Sequence, residues 1–268
     1  MDIDDFKKTI WNYYKEHKRI LPWREEITPY GVVISELMLQ QTQVPRILIK
    51  YPEFLEIFPD FQSLAEAPFE KLLRLWQGMG YNRRAIYLQQ IAQKIVGEYG
   101  GVVSTDPTIL ETFPGIGPAT ARSIIIYTYN KPEVFIETNI RRIFIHHFFQ
   151  DKEGISDREI LPLVERTVDR LKPRDWYYAL MDYGTALVKT VENPNRKSKH
   201  YSKQSKFEGS NRQVRGGILK LLLEHTFLVS EDIVSLSKFE KDRVYPVLEE
   251  LKAEGFVCEE KGKYSISS

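Results

Sequence analysis

Apolar residues recur every three or four positions along most of the chain, which is the spacing of one face of an α-helix. The first such segment carries Phe6, Ile10, Trp11 and Tyr14. Prolines and glycines separate it from further segments of the same kind, as expected where one helix ends and another begins. The pattern predicts an all-α body with helices over residues 6–17, 29–39, 45–58, 63–67, 68–77, 82–99, 105–113, 118–129, 139–149, 157–170 and 174–188.

The pattern changes after residue 190. Residues 191–210 are polar and rich in lysine and arginine, which predicts a basic linker on the surface. From residue 211 three helical segments return, followed by two short alternating segments on either side of Glu260-Lys-Gly-Lys263. Three helices and a hairpin predict a small winged-helix module. The predicted domains are therefore 1–190, a linker at 191–210, and 211–268.

Composition excludes several classes of protein. Lysine and arginine number 38 against 37 acidic residues, so a role with nucleic acid must depend on where basic residues cluster. The single cysteine, Cys258, excludes an internal disulfide and a four-cysteine cluster. No apolar run approaches the length of a membrane span, and the start has no signal core. We expect a soluble, monomeric, cytoplasmic protein associated with the nucleoid.

The strongest motif is Phe113-Pro-Gly-Ile-Gly-Pro-Ala-Thr120. Gly115 and Gly117 fall in a turn between two helical segments, where glycine allows a positive φ and close approach to a ligand. Pro118 and Thr120 open the next helix, whose free N–H groups suit a phosphate. We therefore predict a helix–hairpin–helix at residues 106–129. Glu137 follows a short loop after that helix, so a carboxylate comes shortly after the predicted phosphate-binding hairpin.

Two other segments hold candidate functional residues. Glu36 lies on an apolar helix, where desolvation would raise its pKa and suit it to general acid catalysis. Gln41 and Thr42 follow with side chains that can bond to bases or to the backbone. In Trp76-Gln-Gly-Met-Gly-Tyr-Asn-Arg-Arg84, Tyr81 could wedge into a base stack, and the arginines Arg83 and Arg84 could hold phosphates.

Together these motifs resemble a known family. The segments occur in the order seen in MutY-type adenine DNA glycosylases, which are helix-hairpin-helix enzymes, and the resemblance covers about residues 5–190. It implies a two-lobed glycosylase body. The segments are Leu21-Pro-Trp-Arg24, Thr28-Pro-Tyr30, Ser35-Glu-Leu-Met-Leu-Gln-Gln-Thr-Gln-Val44, Leu75-Trp-Gln-Gly-Met-Gly-Tyr81, Pro114-Gly-Ile-Gly117 and Ala179-Leu-Met-Asp-Tyr-Gly184.

The resemblance also implies roles for single residues. Glu36 matches the glutamate that protonates adenine N7, and Glu137 matches the aspartate that stabilises the sugar cation. Gln41 and Thr42 match residues beside the base opposite the lesion, and Tyr81 matches the intercalating tyrosine. Gly115 and Gly117 match the hairpin that holds a DNA phosphate, often with a monovalent cation. The predicted DNA-binding residues are Gln41, Thr42, Tyr81, Arg83, Gly115, Gly117, Thr120, Asn139 and Arg141.

Three departures from the family pattern change the expectation. The catalytic aspartate is Glu137, whose stem is one methylene longer. The position of the lysine nucleophile of endonuclease III is Ala119, so we expect a monofunctional enzyme that forms no Schiff base. The cluster cysteines are missing, the first falling at Val188, so we expect no iron–sulfur cluster and no other metal cofactor. The basic linker would then supply the DNA contact usually made by the cluster loop.

The leading hypothesis is a glycosylase that removes a mispaired base from double-stranded DNA, most readily adenine opposite guanine or 8-oxoguanine. The carboxylates of Glu36 and Glu137 should then face one cleft. A thymine or uracil mismatch glycosylase and a non-catalytic mismatch-binding protein are the alternatives. The C-terminal domain that reads 8-oxoguanine in MutY is replaced here by the predicted winged helix. That module could bind DNA or dock a protein.

Overall fold

The computed structural model describes residues 1–267, which form two compact units. The first unit contains residues 1–37 and 102–203, and the second contains the described residues 38–101 and 204–267. Each unit is thus assembled from two separate stretches of chain. The division falls inside one helix, α3 (Pro29–Leu39). No helix among the described residues is long and apolar enough to cross a membrane.

The first unit is helical throughout. It contains the start of α3, seven further α-helices and one short 3₁₀-helix. These are α1 (Ile3–His17), α2 (Pro22–Glu25), α8 (Pro107–Leu110), α9 (Pro118–Tyr129), α10 (Thr138–Phe148), α11 (Asp157–Thr167), α12 (Pro173–Leu187) and the 3₁₀-helix Pro194–Lys197.

Local sequence signals set the ends of these helices. The carboxylate of Asp2 accepts hydrogen bonds from the backbone N–H groups of Asp4 (2.7 Å) and Asp5 (3.2 Å), which caps α1. Proline is the first residue of α2, α8, α9 and α12. The N–H groups of a first helical turn have no partner within the helix, so proline, which lacks an N–H, costs no hydrogen bond there. Asn130 ends α9 in the left-handed region at φ 53°. The predicted start of α8 at Thr105 was wrong by one residue, because Asp106 is the capping residue.

The core of the first unit lies where α1, α10 and α12 meet. Phe6 is fully buried, with its ring centroid 5.0 Å from that of Phe144 and 6.2 Å from that of Trp176. Such aromatic contacts add to the free energy gained by burying apolar surface. Phe144 lies on α10, whose N-cap is Glu137, and Trp176 lies on α12, which also carries the Met181-Asp-Tyr-Gly184 motif, so this core holds both segments in place.

The second unit combines helices with a small sheet. Its helices are α4 (Val44–Ile57), α5 (Phe61–Ala65), α6 (Phe69–Trp76), α7 (Arg83–Tyr99), α13 (Asn211–Glu224), α14 (Ser230–Ser237) and α15 (Lys241–Ala253). The strands β1 (Leu228–Val229), β2 (Val257–Glu260) and β3 (Lys263–Ile266) form an antiparallel sheet in the order β1–β3–β2. The predicted three helices and hairpin are present, and β1 is an additional strand that the sequence pattern did not indicate.

The C-terminal module, residues 211–267, packs within the second unit. The ring of Phe256 lies 5.9 Å from that of Phe69 on α6, and Phe256 is fully buried. The Arg83 guanidinium at the start of α7 pairs with the Glu254 carboxylate at 2.6 Å. The compact units therefore divide the chain differently from the predicted domains, because the module shares a core with residues 38–101.

The segment predicted as a surface linker is docked in part. Pro194, Asn195 and Ser198 are buried, and the Asn195 side-chain amide donates a hydrogen bond to the Thr138 carbonyl at 3.0 Å. Ile155 and Ser198 form a parallel β-bridge, with backbone bonds from Ile155 to Lys197 and from Lys199 to Ile155. The prediction of a surface linker was therefore wrong for Pro194, Asn195 and Ser198, while Arg196 and Lys199 are exposed as predicted. The high content of polar residues concealed two, Asn195 and Ser198, that are buried inside the first unit.

Candidate active site

Glu36 lies on α3, and its carboxyl group is largely removed from water. The neighbouring Ile34 and Leu37 are fully buried. Burial of the carboxyl raises the pKa of Glu36 to about 7, assisted by repulsion from Glu137 and opposed by a hydrogen bond from Ser123 and by the charge of Arg24. Glu36 is therefore substantially protonated at neutral pH. A carboxyl with this pKa can donate a proton to a base.

Ser123 on α9 is a site residue that sequence reasoning missed. Its hydroxyl donates to Glu36 Oε2 at 2.5 Å and lies 2.9 Å from the Thr120 carbonyl. Ser123 is polar but buried, and it stands at the start of the apolar stretch Ser123-Ile-Ile-Ile126. A lone serine in an apolar helix was the available signal. Thr120 was predicted to bind DNA, and in the structure its backbone carbonyl accepts a hydrogen bond from the Ser123 hydroxyl.

Glu137 is the N-cap residue of α10. Its Oε1 accepts hydrogen bonds from the backbone N–H groups of Asn139 (2.5 Å) and Ile140 (2.8 Å). Burial raises the pKa of Glu137, while these two N–H groups, Arg142 and Arg141 act in the opposite direction. Because the N–H groups hold the carboxylate, its position is fixed before any ligand arrives. A fixed anion is suited to stabilising a nearby positive charge.

Asn139 supports Glu137 from the side. Its amide nitrogen lies 3.3 Å from Glu137 Oε2, and its carbonyl oxygen accepts from the Arg142 guanidinium at 2.8 Å. Arg142 also donates to the Gly184 carbonyl on α12 at 2.7 Å. A Cβ atom at Gly184 would lie 2.8 Å from the Asn139 Cβ, so only glycine allows this approach. The glycine of the Met181-Asp-Tyr-Gly184 motif thus allows α12 to pack directly against Asn139, the residue that supports Glu137.

An ion pair braces the same region. The Arg24 guanidinium, from the Leu21-Pro-Trp-Arg24 motif, lies 3.0 Å from both carboxylate oxygens of Asp182. Asp182 also accepts from the backbone N–H (3.0 Å) and the side chain (2.6 Å) of Arg19. Arg24 further lies over the ring of Tyr178 at 4.3 Å. Both Arg24 and Asp182 are buried, so each needs the other to offset its desolvation.

The hairpin has the predicted turn, with one difference between its glycines. Gly115 has φ 75°, in the region that favours glycine. Gly117 is instead extended at φ −91° and forms the N-cap of α9. The position of Ala119 lies in the first turn of that helix, and alanine has no amine. The roles of Gly115, Gly117 and Thr120 in holding phosphate stay predictions.

Arg141 and Arg83, predicted to bind DNA, are engaged in ion pairs. Arg141 forms a two-point pair with Asp157, with distances of 2.6 and 2.7 Å. Arg83 pairs with Glu254. A guanidinium has five N–H donors, so each arginine keeps donors for a phosphate. Their DNA contacts stay predictions.

The remaining predicted residues, Gln41, Thr42 and Tyr81, gather in the second unit. Gln41 and Tyr81 both have positive φ values, 54° and 48°, which are rare for residues other than glycine. The Thr42 hydroxyl lies 3.3 Å from the Met79 carbonyl. The two segments that carry these residues, 38–42 and 79–81, are therefore in contact.

Arg84 joins these two segments, and sequence reasoning had interpreted it as a phosphate contact. Its guanidinium donates to the carbonyls of Met38 (2.9 Å), Gln40 (2.6 Å), Met79 (3.1 Å) and Gly80 (2.9 Å), and to the Thr42 hydroxyl (2.9 Å). The residue is buried, which lowers the pKa of Arg84 to about 10. The interpretation was therefore wrong, because the donors are directed into the protein.

Replacing Arg84 with alanine should lower the free energy of unfolding by roughly 2–4 kcal/mol, because four carbonyls, two of them buried, would lose their donor. Replacing the adjacent Arg83 with alanine is the matched control. It removes one largely exposed ion pair and should change that free energy by less than about 1 kcal/mol. Urea titration of the three proteins measures both values. Equal losses for the two variants would contradict the structural role of Arg84.

Comparison with known proteins places this geometry in a family. The sequence profile of HhH-GPD superfamily base excision DNA repair proteins matches residues 34–169, slightly more than half of the chain. The chain belongs to this superfamily. The match includes Glu36, the hairpin and Glu137. It ends before Asp182 and Gly184, whose contacts with Arg24 and Arg142 extend the site beyond the matched region.

Similar curated proteins carry the name adenine DNA glycosylase. The Buchnera aphidicola protein is 31% identical over 70% of this chain and 54% of its own length. The Rattus norvegicus protein is 32% identical over 72% of this chain and 40% of its own length. This chain thus spans about half or less of these two relatives. The Mycolicibacterium smegmatis protein is 30% identical over 92% of this chain and 91% of its own length.

Solved structures share the fold. A thermostable thymine-DNA glycosylase superimposes with a TM-score of 0.63 and 22% identity, over 73% of this chain and 91% of that protein. An endonuclease III trapped on DNA superimposes with a TM-score of 0.59 and 16% identity. The all-α prediction for the body is confirmed. Within residues 1–267, no group of three or more His, Cys, Asp or Glu side chains is arranged to hold a metal ion.

Proposed function

We propose that the chain is a monofunctional DNA glycosylase that removes a mispaired base, with adenine opposite guanine or 8-oxoguanine as its substrate. The observation that carries the proposal is the pair of carboxyl groups in the first unit. The pKa of Glu36 lies at about 7, and Glu137 is held by two backbone N–H groups. One group can thus give a proton while the other remains a fixed anion.

The reaction follows from these two groups. The mispaired adenine leaves the base stack, which costs least at a mismatch. Glu36 transfers its proton to adenine N7, and the bond between N9 and the sugar C1′ breaks with its electron pair going to the base. The sugar cation that remains is stabilised by the Glu137 carboxylate. Water then adds to C1′ and gives its proton to the Glu36 carboxylate, which restores the acid and leaves an abasic site.

Two further features belong to the proposal. Ala119 offers no amine, so the sugar forms no Schiff base at that position and the strand stays intact. The reaction also needs no redox or metal cofactor. If a monovalent cation binds at the hairpin, the neutral carbonyls around Gly115 are suitable ligands for it. The enzyme would act as a monomer on double-stranded DNA in the nucleoid.

Base release from defined duplexes tests this proposal. Duplexes with A:8-oxoG, A:G, T:G and U:G pairs are mixed with excess enzyme, and abasic sites are revealed by alkali. We expect adenine release from the first two and no strand cleavage before alkali. Release of thymine or uracil alone would move the function to deamination repair. Tight mismatch binding without any release would indicate a non-catalytic protein.

A further inference from the structure

A cavity of about 790 Å³ opens in the second unit, between the helices of the body and the C-terminal module. Five basic residues line it, and no acidic residue of the described chain does. Three come from the body and two from α13. They are Arg46, Lys50, Arg74, Arg212 and Lys220. A cavity with this charge and size favours an anionic ligand.

Neutralisation of these basic residues within the protein is incomplete. Lys50 pairs with Glu53, Arg74 with Glu70 and Lys220 with Glu224, at 3.0, 2.5 and 3.7 Å. These pairs involve exposed neighbours on the same helix, which contribute little and can be exchanged for a stronger partner. Within residues 1–267, no carboxylate lies within ion-pairing distance of Arg46 or Arg212. The cavity therefore keeps a net positive charge.

Tyr81 connects the cavity to Gln41 and Thr42, the other predicted DNA-binding residues that gather in the second unit. Its ring lines this cavity and a second one of about 540 Å³, as does Gln41. The Tyr81 hydroxyl accepts a hydrogen bond from the Gln204 amide and lies 3.4 Å from the Arg212 guanidinium. Arg212 is itself held by the Ser205 carbonyl at 2.7 Å. The start of the C-terminal module is thus attached to the residue predicted to enter the base stack.

The cavity floor is apolar where its rim is basic. Leu73, Met79, Leu219 and Leu223 belong to the lining and are almost fully buried. A basic rim around an apolar floor fits a nucleotide, since the rim can bind the phosphate while sugar and base lie against the floor. The chemical class of the ligand is therefore a phosphodiester chain rather than a free small anion.

The third helix of the module, α15, has no excess of positive charge, because Lys241, Arg243 and Lys252 are matched by Asp242, Glu249 and Glu250. Its C-terminal half carries Glu249 and Glu250, and Glu254 follows directly after it. Glu254 pairs with Arg83 and Arg215, while Glu250 pairs with Arg215 at 3.2 Å. These pairs use the neighbouring arginines within the protein, so this part of the module presents no net positive charge to DNA phosphates. The helix that a winged-helix protein usually places in the groove is therefore unsuited to that task here.

We propose that the C-terminal module binds DNA through its first helix, α13, and not through α15. Arg212 and Lys220, together with Arg46, Lys50 and Arg74, bind backbone phosphates of the strand next to Tyr81. This inference rests on the proposed function in one respect, which is that DNA is the ligand. It gives the module a role in binding the duplex that base release alone does not require.

The salt dependence of duplex binding by the full chain tests the proposal. Binding of a labelled mismatched duplex is followed by fluorescence anisotropy at several salt concentrations. Each lost phosphate contact should reduce the slope of log K against log salt by about 0.9. We expect Arg212→Ala and Lys220→Ala each to weaken binding roughly three- to tenfold, and the double variant to reduce the slope by about two.

Lys241→Ala is the matched control, because it removes one positive charge from α15 of the same module. It should leave affinity and slope unchanged. A loss with Lys241→Ala equal to that with Lys220→Ala would overturn the proposal, as would an unchanged slope in the double variant. Lys220 makes only an exposed ion pair, so its variant should fold even if loss of Arg212 disturbs residues 204–206. Normal salt-dependent binding without base release would refute the proposed glycosylase function and leave this inference standing.

Discussion

Replacing Glu36 with glutamine should reduce single-turnover adenine release by roughly 10²- to 10⁴-fold, the usual contribution of a general acid. Glutamine has nearly the same shape and can still accept the hydrogen bond from Ser123, but it has no acidic proton to donate to N7. The rate is measured with enzyme in excess on the A:8-oxoG duplex. Glu25→Gln, an exposed change on α2, is the control and should retain full activity.

The pH dependence gives the same assignment a second test. The wild-type rate should fall as pH rises through about 7, because the pKa of Glu36 lies there and only the protonated form is the acid. Below that value the rate should approach a plateau. The residual rate of Glu36→Gln should lack this inflection. A wild-type rate that is constant between pH 6 and 9 would contradict the role of Glu36.

Stability measurements separate this effect from misfolding. The pKa of Glu36 is raised in the folded state, so between about 4.5 and 7 the folded chain binds more protons than the unfolded chain. The contribution of Glu36 to stability is therefore lost as pH rises through that range. Glu36→Gln should exceed the wild type in free energy of unfolding by about 3 kcal/mol at pH 8.5 and match it near pH 4.

Replacing Glu137 with glutamine should lower the rate of base release by roughly 10²- to 10³-fold, the cost of losing a preorganised electrostatic contact in the transition state. The neutral amide cannot stabilise the sugar cation. It also caps α10 less well, which should cost about 1 kcal/mol of folding free energy. Glu133→Gln is the matched control, since Glu133 lies four residues earlier, outside the helix.

Glu137→Asp shows whether the longer side chain is fitted to this site. Aspartate keeps the charge and caps helices well, but its carboxylate would lie about one methylene further from the sugar. Such a displacement should cost roughly tenfold to a hundredfold in rate. The expected order is wild type, then aspartate, then glutamine. Faster release by the aspartate variant would mean that Glu137 is a poor substitute for the family aspartate.

Much of the site could be predicted because its residues are unusual for the segments in which they stand. A glutamate in the apolar segment around Ile34 and Leu37 indicated a raised pKa, and the structure provides its cause in burial. The hairpin was visible because Gly115 needs a positive φ that few other residues adopt. Such signals are local, so they can be found without knowing which segments meet.

The contacts that support the site could not be predicted in this way. Arg83 and Arg84 are neighbours of the same type, yet Arg83 is exposed while Arg84 is buried and donates to four carbonyls. Successive helix positions point about 100° apart, and nothing local indicates which one faces inward. Arg24 and Arg142, likewise, donate to Asp182 and Gly184 on α12, more than 40 residues away in sequence. Family motifs had identified the Asp182 and Gly184 positions without explaining them.

The discontinuous makeup of each unit affects how the chain folds. Residues 1–37 cannot complete their unit until residues 102–203 have been synthesised, and residues 38–101 must wait for residues 204–267. The Arg24–Asp182 pair alone closes a loop of 158 positions. Contacts between residues so distant in sequence form slowly, because loop closure must be achieved before they can stabilise anything. We therefore expect both units to close late, after most of the chain has left the ribosome.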